Sequence, residues 1–160
     1  MQTVILLGSA RGNGYTASLC ETLGYPVLNL NGYQIRPFDY RDNGTGDDFL
    51  ALMETLLRYD RILFASPLYW YSMSGQMKLF FDRITDLLEH HKDMGRLLRG
   101  KQAGVLATGG AATPPDCFEE PFRLTFDYLG MHYQGMSYVD TSAGLDAASM
   151  AIAAAHFKAA

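Results

Sequence analysis

The segment that most constrains the fold runs from residue 63 to residue 83, where an apolar run passes through three aromatics into an amphipathic helix. Residues 63–65 form a short apolar run of the kind that a strand covered on both faces requires. Pro67 has no N–H to donate, so it ends the ladder and places the following residues in a loop. A buried strand, a loop and a helix in this order predict an α/β fold.

The loop after this strand contains Tyr69, Trp70 and Tyr71. Loops at the carboxyl ends of parallel strands bind ligands in open α/β sheets, and these rings offer flat apolar area. The alternative is that they fill the core or a subunit contact. However, the next helix, with Ser74 as its predicted N-cap, has an apolar stripe of its own at Met77, Phe80, Phe81, Ile84, Leu87 and Leu88. The loop aromatics therefore predict a site for a planar cofactor.

A second strand–loop–helix unit opens the chain. Residues 3–7 form an apolar strand, residues 8–16 read GSARGNGYT, and a helical stripe follows at Thr16, Leu19, Cys20 and Leu23. Backbone N–H groups at such a helix start attract an anion, and the side chains of Ser9, Arg11, Asn13 and Thr16 add donors. The loop predicts a cradle for one phosphate, and the alternative is a solvated turn.

Two other phosphate loops fit the sequence less well. A Walker loop needs Lys followed by Ser or Thr, whereas Gly14 is followed by Tyr15 and Thr16. Gly12, Gly14 and Ala17 match G-x-G-x-x-A, but the predicted second strand (residues 27–30) ends in Asn31 rather than an acidic residue. A nucleotide triphosphatase and a dinucleotide fold are therefore both disfavoured.

With both motifs in view, the chain resembles the flavodoxin-fold NAD(P)H-dependent FMN reductase family, which includes quinone and azo-compound reductases. The spacing between Asn13 and Thr16 is one residue longer than the family's usual pattern. The residues that carry the resemblance are Gly8, Ser9, Arg11, Thr16, Ser66, Pro67, Tyr69, Lys78, Asp82 and Arg83.

The resemblance implies an FMN site of three loops. The phosphate would be held by Ser9, Arg11, Gly14, Tyr15 and Thr16, with Asn13 as a further donor. The isoalloxazine would be lined by Pro67, Leu68, Tyr69, Trp70 and Tyr71. A third loop, after a predicted fourth strand at residues 103–107, would bring Thr108, Gly109 and Gly110 to the pyrimidine ring, and the alternative is a plain turn.

The implied activity is an oxidoreductase that passes hydride from NAD(P)H through FMN to a quinone, flavin or azo acceptor in one shared slot. Because the cofactor carries this chemistry, no side chain is predicted to be catalytic. Two rival functions are a flavodoxin-type one-electron carrier and a flavin-free interaction module on the same fold. The resemblance also implies a homodimer with the flavin near the interface, in which Tyr71 and Met73 are candidate contacts.

Composition agrees with an ordinary globular protein. The 160 residues predict a single domain (1–160), and the formal net charge of −4 without a basic run gives no support for nucleic-acid or membrane binding. The absence of a leader or a long apolar run predicts a cytoplasmic protein. Cys20 and Cys117 are too few for a disulfide framework or an iron–sulfur centre, and the adjacent His90 and His91 favour a helix end over a metal site.

The whole chain predicts a flavodoxin-like three-layer sandwich, with a five-stranded parallel sheet of order 2-1-3-4-5 between helices. Asp47 and Asp48 are predicted to start a helix, and Pro121 to start the fourth one. Residues 109–121 would then be a long loop, either a lid over the flavin or a mobile surface segment. Residues 133–139 are predicted to form the fifth strand and residues 145–157 the closing helix.

Overall fold

The computed structural model describes residues 1–158 and contains one parallel sheet in the order β2-β1-β3-β4-β5. This confirms the predicted flavodoxin-like topology. The three central strands are buried along nearly their whole length, as their apolar runs predict. The strands are β1 (Thr3–Leu7), β2 (Val27–Asn29), β3 (Arg61–Pro67), β4 (Gln102–Gly109) and β5 (His132–Asp140).

Helices cover both faces of this sheet. They are α1 (Tyr15–Leu23), α2 (Phe49–Leu56), α3 (Gly75–Glu89), α4 (Lys92–Arg96), α5 (Asp116–Leu129) and α6 (Ala147–Lys158). One apolar core lies under α1 and α6, and the other, rich in phenylalanine, lies under α2, α3 and α5. No helix in residues 1–158 is long and apolar enough to cross a membrane.

The register brings the carboxyl ends of the strands to one edge. Leu7 pairs with Ala65, Pro67 with Thr108, and Gly109 with Asp140. The loops after β1, β3, β4 and β5 therefore start side by side, which is where open α/β sheets bind ligands.

The predicted start of the fourth helix was wrong. Helix α5 begins at Asp116, so Pro121 lies inside it. Pro115 precedes the helix with extended backbone, and Asp116 and Glu119 occupy the first turn, where carboxylates favour the helix dipole. Pro121 is the sixth residue of α5, so it removes the hydrogen bond that a backbone N–H there would donate to the carbonyl oxygen of Cys117. The segment proposed as a lid shrinks to residues 110–115.

Other elements also differ from the prediction, and the observed β5 and α6 bounds shift by one or two residues from those predicted. Thr108 and Gly109 are the last residues of β4, so the third loop starts at Gly110. Leu30 leaves β2 and opens a 3₁₀ turn. The short helix α4 was not predicted, because five residues that include Gly95 carry no readable helical period.

A buried ion cluster fastens the irregular segment 33–48 onto α3. The Arg83 guanidinium donates to the carboxylates of Asp47 and Asp86 and to the carbonyl oxygens of Arg36 and Gly44. Burial acts to raise the pKa of Asp47, but the Arg83 guanidinium and the backbone N–H groups of Arg36 and Phe49 together outweigh it and hold that pKa below its ordinary value. Arg83, part of the family-like motif, thus has a structural role in this chain.

Candidate cofactor site

A cavity of about 570 Å³ opens at the carboxyl edge of the sheet, between the loops that follow β1, β3, β4 and β5. Arg11 is the only charged residue among the described residues that line it, so the cavity is suited to a single anionic group. The lining consists of Ser9, Arg11, Asn13, Gly14, Tyr15, Thr16, Ser18, Pro67, Leu68, Tyr69, Thr108, Gly109, Gly110, Thr141 and Leu145.

Helix α1 points an uncapped N-terminus at this cavity. Its N-cap position is Gly14, with extended backbone, and no side chain in the described residues caps the helix. Helix α3 starts at the same sheet edge, yet its first turn is capped by Ser74, whose Oγ accepts from Met77 N at 3.1 Å. The free N–H groups of α1 are therefore available to an anion from solution.

Three hydroxyl groups lie at this end of the cavity. Ser9 is buried, and its Oγ accepts from the backbone N–H of Arg11 at 3.3 Å. The hydroxyl oxygens of Thr16 and Thr108 lie 2.8 Å apart, which ties the first turn of α1 to the end of β4. One proton of that hydroxyl pair is free to point into the cavity.

A buried serine pair couples the loop after β1, which is the proposed phosphate loop, to the aromatic loop after β3. Ser74 Oγ donates to the carbonyl oxygen of Gly8 at 2.6 Å, and Ser66 Oγ accepts from Ser74 N at 2.9 Å. A Cβ on Gly8 would lie 3.0 Å from the Met77 Cβ, so glycine lets the loop after β1 approach the first turn of α3 closely. The loop after β1 and the aromatic loop, which form two walls of the cavity, are thereby held at a fixed separation.

The aromatic loop is a tight hairpin under backbone strain. Tyr69 and Ser72 form an antiparallel bridge, with N–O distances of 3.0 and 3.1 Å, around Trp70 and Tyr71. Both central residues have positive φ, 47° and 69°, which marks a type I′ turn that normally holds Asn and Gly. The Trp70 side chain is 90% exposed and the Tyr71 side chain 65%. Strain of this kind persists where the surrounding structure enforces it, and it clusters at functional sites.

The third wall is built around Gly109. A Cβ there would lie 2.5 Å from the Tyr138 hydroxyl and 3.2 Å from the Leu68 Cβ, so only glycine fits. The Tyr138 hydroxyl donates to the carbonyl oxygen of Ala111 at 2.7 Å and so anchors the start of the 110–115 loop. Burial raises the pKa of Tyr138, which keeps this donor protonated. Gly110 has open space around its Cα.

Twelve of the fourteen sequence-predicted binding residues line this one cavity, and Trp70 and Tyr71 do not. Met73, a candidate subunit contact, is buried in the core of its own chain, so that part of the prediction was wrong. Sequence reasoning missed three lining residues: Ser18 in α1, and Thr141 and Leu145 in the loop after β5. The available signal for Thr141 and Leu145 was their position after the carboxyl end of a strand.

The two cysteines lie apart from this chemistry. Cys20 lies on the buried face of α1, and burial raises its pKa to about 12, so its thiol is unreactive at neutral pH. Cys117 is exposed at the start of α5, where its Sγ contacts the carbonyl oxygen of Tyr71 at 3.6 Å.

The whole of this chain matches a family model, and the matched residues are 1–160. The chain belongs to that family, which is described as having a flavodoxin-like fold, and the predicted family is confirmed. Among solved structures, a Trp repressor binding protein from Bacillus subtilis superposes with a TM-score of 0.78 over 99% of both chains at 24% identity. At this level of identity the likeness shows the fold alone.

Named relatives fall among flavin-dependent oxidoreductases. The chain is 31% identical over 150 residues, 86% of its length and 81% of the relative's, to YwqN of Bacillus subtilis, provisionally named an NAD(P)H-dependent FMN-containing oxidoreductase. It is 33% identical over 114 residues to an FMN-dependent NADH:quinone oxidoreductase of Paraburkholderia phymatum, which is 66% of this chain and 57% of that one. An FMN-dependent NADH-azoreductase from Bacillus anthracis, solved with FMN, superposes with a TM-score of 0.70 over 97% of this chain and 95% of that one at 12% identity.

Proposed function

We propose that this chain binds FMN and uses NAD(P)H to reduce a small acceptor of the quinone, flavin or azo class. The observation that carries the proposal is the uncapped start of α1, which opens into a cavity walled on its other sides by Pro67–Tyr69 and Gly109. The start of α1 suits an anion, and the walls formed by Pro67–Tyr69 and Gly109 suit a flat ring system. The names of YwqN and the quinone oxidoreductase relative agree with this assignment.

The residues present fit FMN at each end of the cavity. The N–H groups of α1, the Arg11 guanidinium and the Ser9 hydroxyl suit a phosphate, because each charge-assisted hydrogen bond contributes about 1.5–3 kcal/mol. Arg11 is the only described lining residue with a charge, which is sufficient for one phosphate. Gly109 and Gly110 leave their backbone within reach of a polar ring edge.

Bound FMN supplies the hydride chemistry, and the chain contributes binding, orientation and control of water. The Ser66–Ser74 pair keeps the phosphate loop and the aromatic loop at a fixed separation, so the ring is oriented before a substrate arrives. Backbone donors near Gly110 favour negative charge at the ring edge that faces them. No side chain is assigned a proton-transfer role. NAD(P)H and the acceptor use the same slot in turn, so steady-state kinetics should give parallel lines.

We also propose that two copies of the chain assemble around this site. Trp70 and Tyr71 are exposed and stay outside their own cavity, where a second copy can cover them. Exposed aromatics beside a cleft are enriched at interfaces. Light scattering at micromolar concentration should give twice the mass of the chain. A monomer would refute this assembly.

The deciding experiment adds FMN to the purified protein, removes unbound flavin, and records the absorbance during anaerobic addition of NADPH and then NADH. Retained flavin that bleaches supports the proposal. Retained flavin that ignores both nucleotides favours a one-electron carrier, and no retained flavin favours a flavin-free module. The rate of NAD(P)H oxidation with a quinone, free flavin or azo dye then identifies the acceptor class.

A further inference from the structure

Three asparagine–glycine pairs occur in the chain: Asn13–Gly14, Asn31–Gly32 and Asn43–Gly44. In such a pair, the glycine backbone nitrogen can attack the asparagine side-chain amide carbon, because glycine has no Cβ to hinder the approach. We propose that Asn13 is a spontaneous deamidation site, and that its conversion turns the anion cradle of α1 into a site that repels phosphate. This reaction is separate from the proposed reductase activity, although its effect rests on the proposed anion site, and it proceeds without a second protein.

Asn31 is held away from this reaction. It lies in the 3₁₀ turn after β2, and its Nδ2 donates to the carbonyl oxygen of Ser9 at 2.8 Å. Its own backbone N–H donates to Asn29 Oδ1 at 3.0 Å. These hydrogen bonds would have to break before the side-chain amide carbon of Asn31 could approach the backbone nitrogen of Gly32.

Asn43 is restrained at both reacting groups. Its Oδ1 accepts from Thr45 N at 3.2 Å and from Thr45 Oγ1 at 2.6 Å. The attacking atom, Gly44 N, is occupied as well, because it donates to Asp42 Oδ1 at 3.1 Å. Gly44 is buried against Asp86.

Asn13 carries none of these restraints. Its side chain is exposed, lines the cavity and makes no hydrogen bond within residues 1–158. The following residue, Gly14, is the N-cap of α1 and is itself half-buried against the Arg11 side chain. The amide of Asn13 is therefore free to rotate toward the Gly14 nitrogen.

The electrostatics of the site favour the reaction at this position. The attacking nitrogen must give up its proton, and the resulting negative charge is stabilised by the positive end of the α1 dipole and by Arg11. The same positive potential attracts phosphate to the cavity. A bound phosphate therefore neutralises the potential and should protect Asn13.

The chemistry balances without an oxidant or cofactor. The Gly14 nitrogen forms a bond to the Asn13 amide carbon, the side-chain nitrogen leaves as ammonia, and the proton from Gly14 goes to solvent or to the leaving group. Water then opens the succinimide ring to aspartate or isoaspartate. Either product places a carboxylate among the lining residues that include Arg11, where it offsets the positive charge of the Arg11 guanidinium.

The first test incubates flavin-free protein in mildly alkaline buffer and follows each asparagine by peptide mass spectrometry. Parallel samples contain inorganic phosphate, or chloride at the same ionic strength. We expect Asn13 to convert at least about tenfold faster than Asn31 and Asn43, and phosphate to slow Asn13 alone. Equal or faster conversion at Asn31 or Asn43, or equal slowing by chloride, would overturn the proposal.

The second test measures phosphate binding by calorimetry for Asn13→Asp, with Asn43→Asp as the matched control. Asn13→Asp should weaken phosphate by at least about tenfold, which corresponds to 1.4 kcal/mol, and Asn43→Asp should leave it unchanged. Unchanged affinity in Asn13→Asp would refute the functional part. Neither test uses FMN, so a failure of the flavin assignment and a failure of this inference give different results.

Discussion

Replacing Trp70 with asparagine should make the protein more stable and less active. Trp70 has φ of 47°, in the left-handed region where a residue with a Cβ costs about 1–2 kcal/mol. Asparagine tolerates this region because its short side chain hydrogen-bonds locally. The Trp70 side chain is 90% exposed, so its removal loses little buried surface. The expected net gain in the free energy of unfolding is about 1 kcal/mol.

The matched control is Trp70→Ala, which removes the indole but keeps a Cβ and therefore keeps the strain. Urea unfolding should be followed by far-ultraviolet circular dichroism, because Trp70 is the chain's single tryptophan and both variants lose that fluorescence. For a chain of this length, about 1 kcal/mol corresponds to a rise in Tm of about 2–4 °C. Trp70→Asn should exceed Trp70→Ala by that amount.

Activity should move the other way. If the exposed indole contacts a stacked substrate or the second copy, its loss should cost about 0.5–1.5 kcal/mol, or a two- to tenfold fall in kcat/KM for NAD(P)H. Both variants should show this fall, because both lack the ring. Equal stability of the two variants would refute the strain argument, and wild-type kinetics in both would show that the Trp70 indole takes no part in activity.

Three further predictions concern the scaffold of the site. Asp47→Asn should cost about 3–5 kcal/mol of unfolding free energy at neutral pH, because it leaves the buried Arg83 without one of its carboxylate partners. Since the folded-state pKa of Asp47 is lowered, this stability is present above the ordinary pKa of about 3.9 and is lost as the pH falls through the folded-state pKa. If the stability of wild type and variant, measured by urea unfolding, fell in parallel as the pH was lowered, the prediction would be contradicted. Gly109→Ala should cost about 1–3 kcal/mol and release FMN, but distinctly less in a Tyr138→Phe background that lacks the hydroxyl 2.5 Å from the new Cβ; strict additivity of Tm shifts would disprove that contact. Ser74→Ala should cost about 0.5–2 kcal/mol through the lost α3 cap, and an unchanged Tm would count against it.

The sheet and the first two loops could be predicted because their signals are local. Residues 3–7 and 63–65 are apolar runs bounded by Gly8 and Pro67, and the order of strands and helices leaves few topologies. The cavity followed from the same rule, since loops after parallel strands share one edge of the sheet. The binding residues predicted from this order were placed around one cavity, with two exceptions.

The features that could not be predicted depend on contacts between distant residues. The type I′ turn at Trp70 and Tyr71 contradicts the preference of this turn for Asn and Gly, so two bulky aromatic residues do not predict positive φ. Pro121 suggested a helix start, whereas Pro115 and the acidic first turn set the real start at Asp116. Leu145 reaches the cavity only because β5 lies next to β4.

The contrast between the two helix starts at this edge leads to a last prediction. Gly14 leaves α1 without a side-chain cap, so an anion should act as the cap, and inorganic phosphate alone should raise the Tm. At one hundred times its Kd, phosphate adds about 2.7 kcal/mol, or about 5–10 °C for a chain of this length. Gly14→Ser adds a side-chain hydroxyl that can cap α1, and the extended backbone of residue 14 is compatible with serine. The phosphate-free protein should therefore gain a few tenths of a kcal/mol in stability, and the rise in Tm caused by phosphate should shrink. Gly12→Ser is the matched control, because a Cβ there makes an ordinary contact with Asn29 Nδ2 at 3.5 Å and the residue lies before the helix. Equal phosphate shifts in both variants would show that the N-terminus of α1 does not bind the anion.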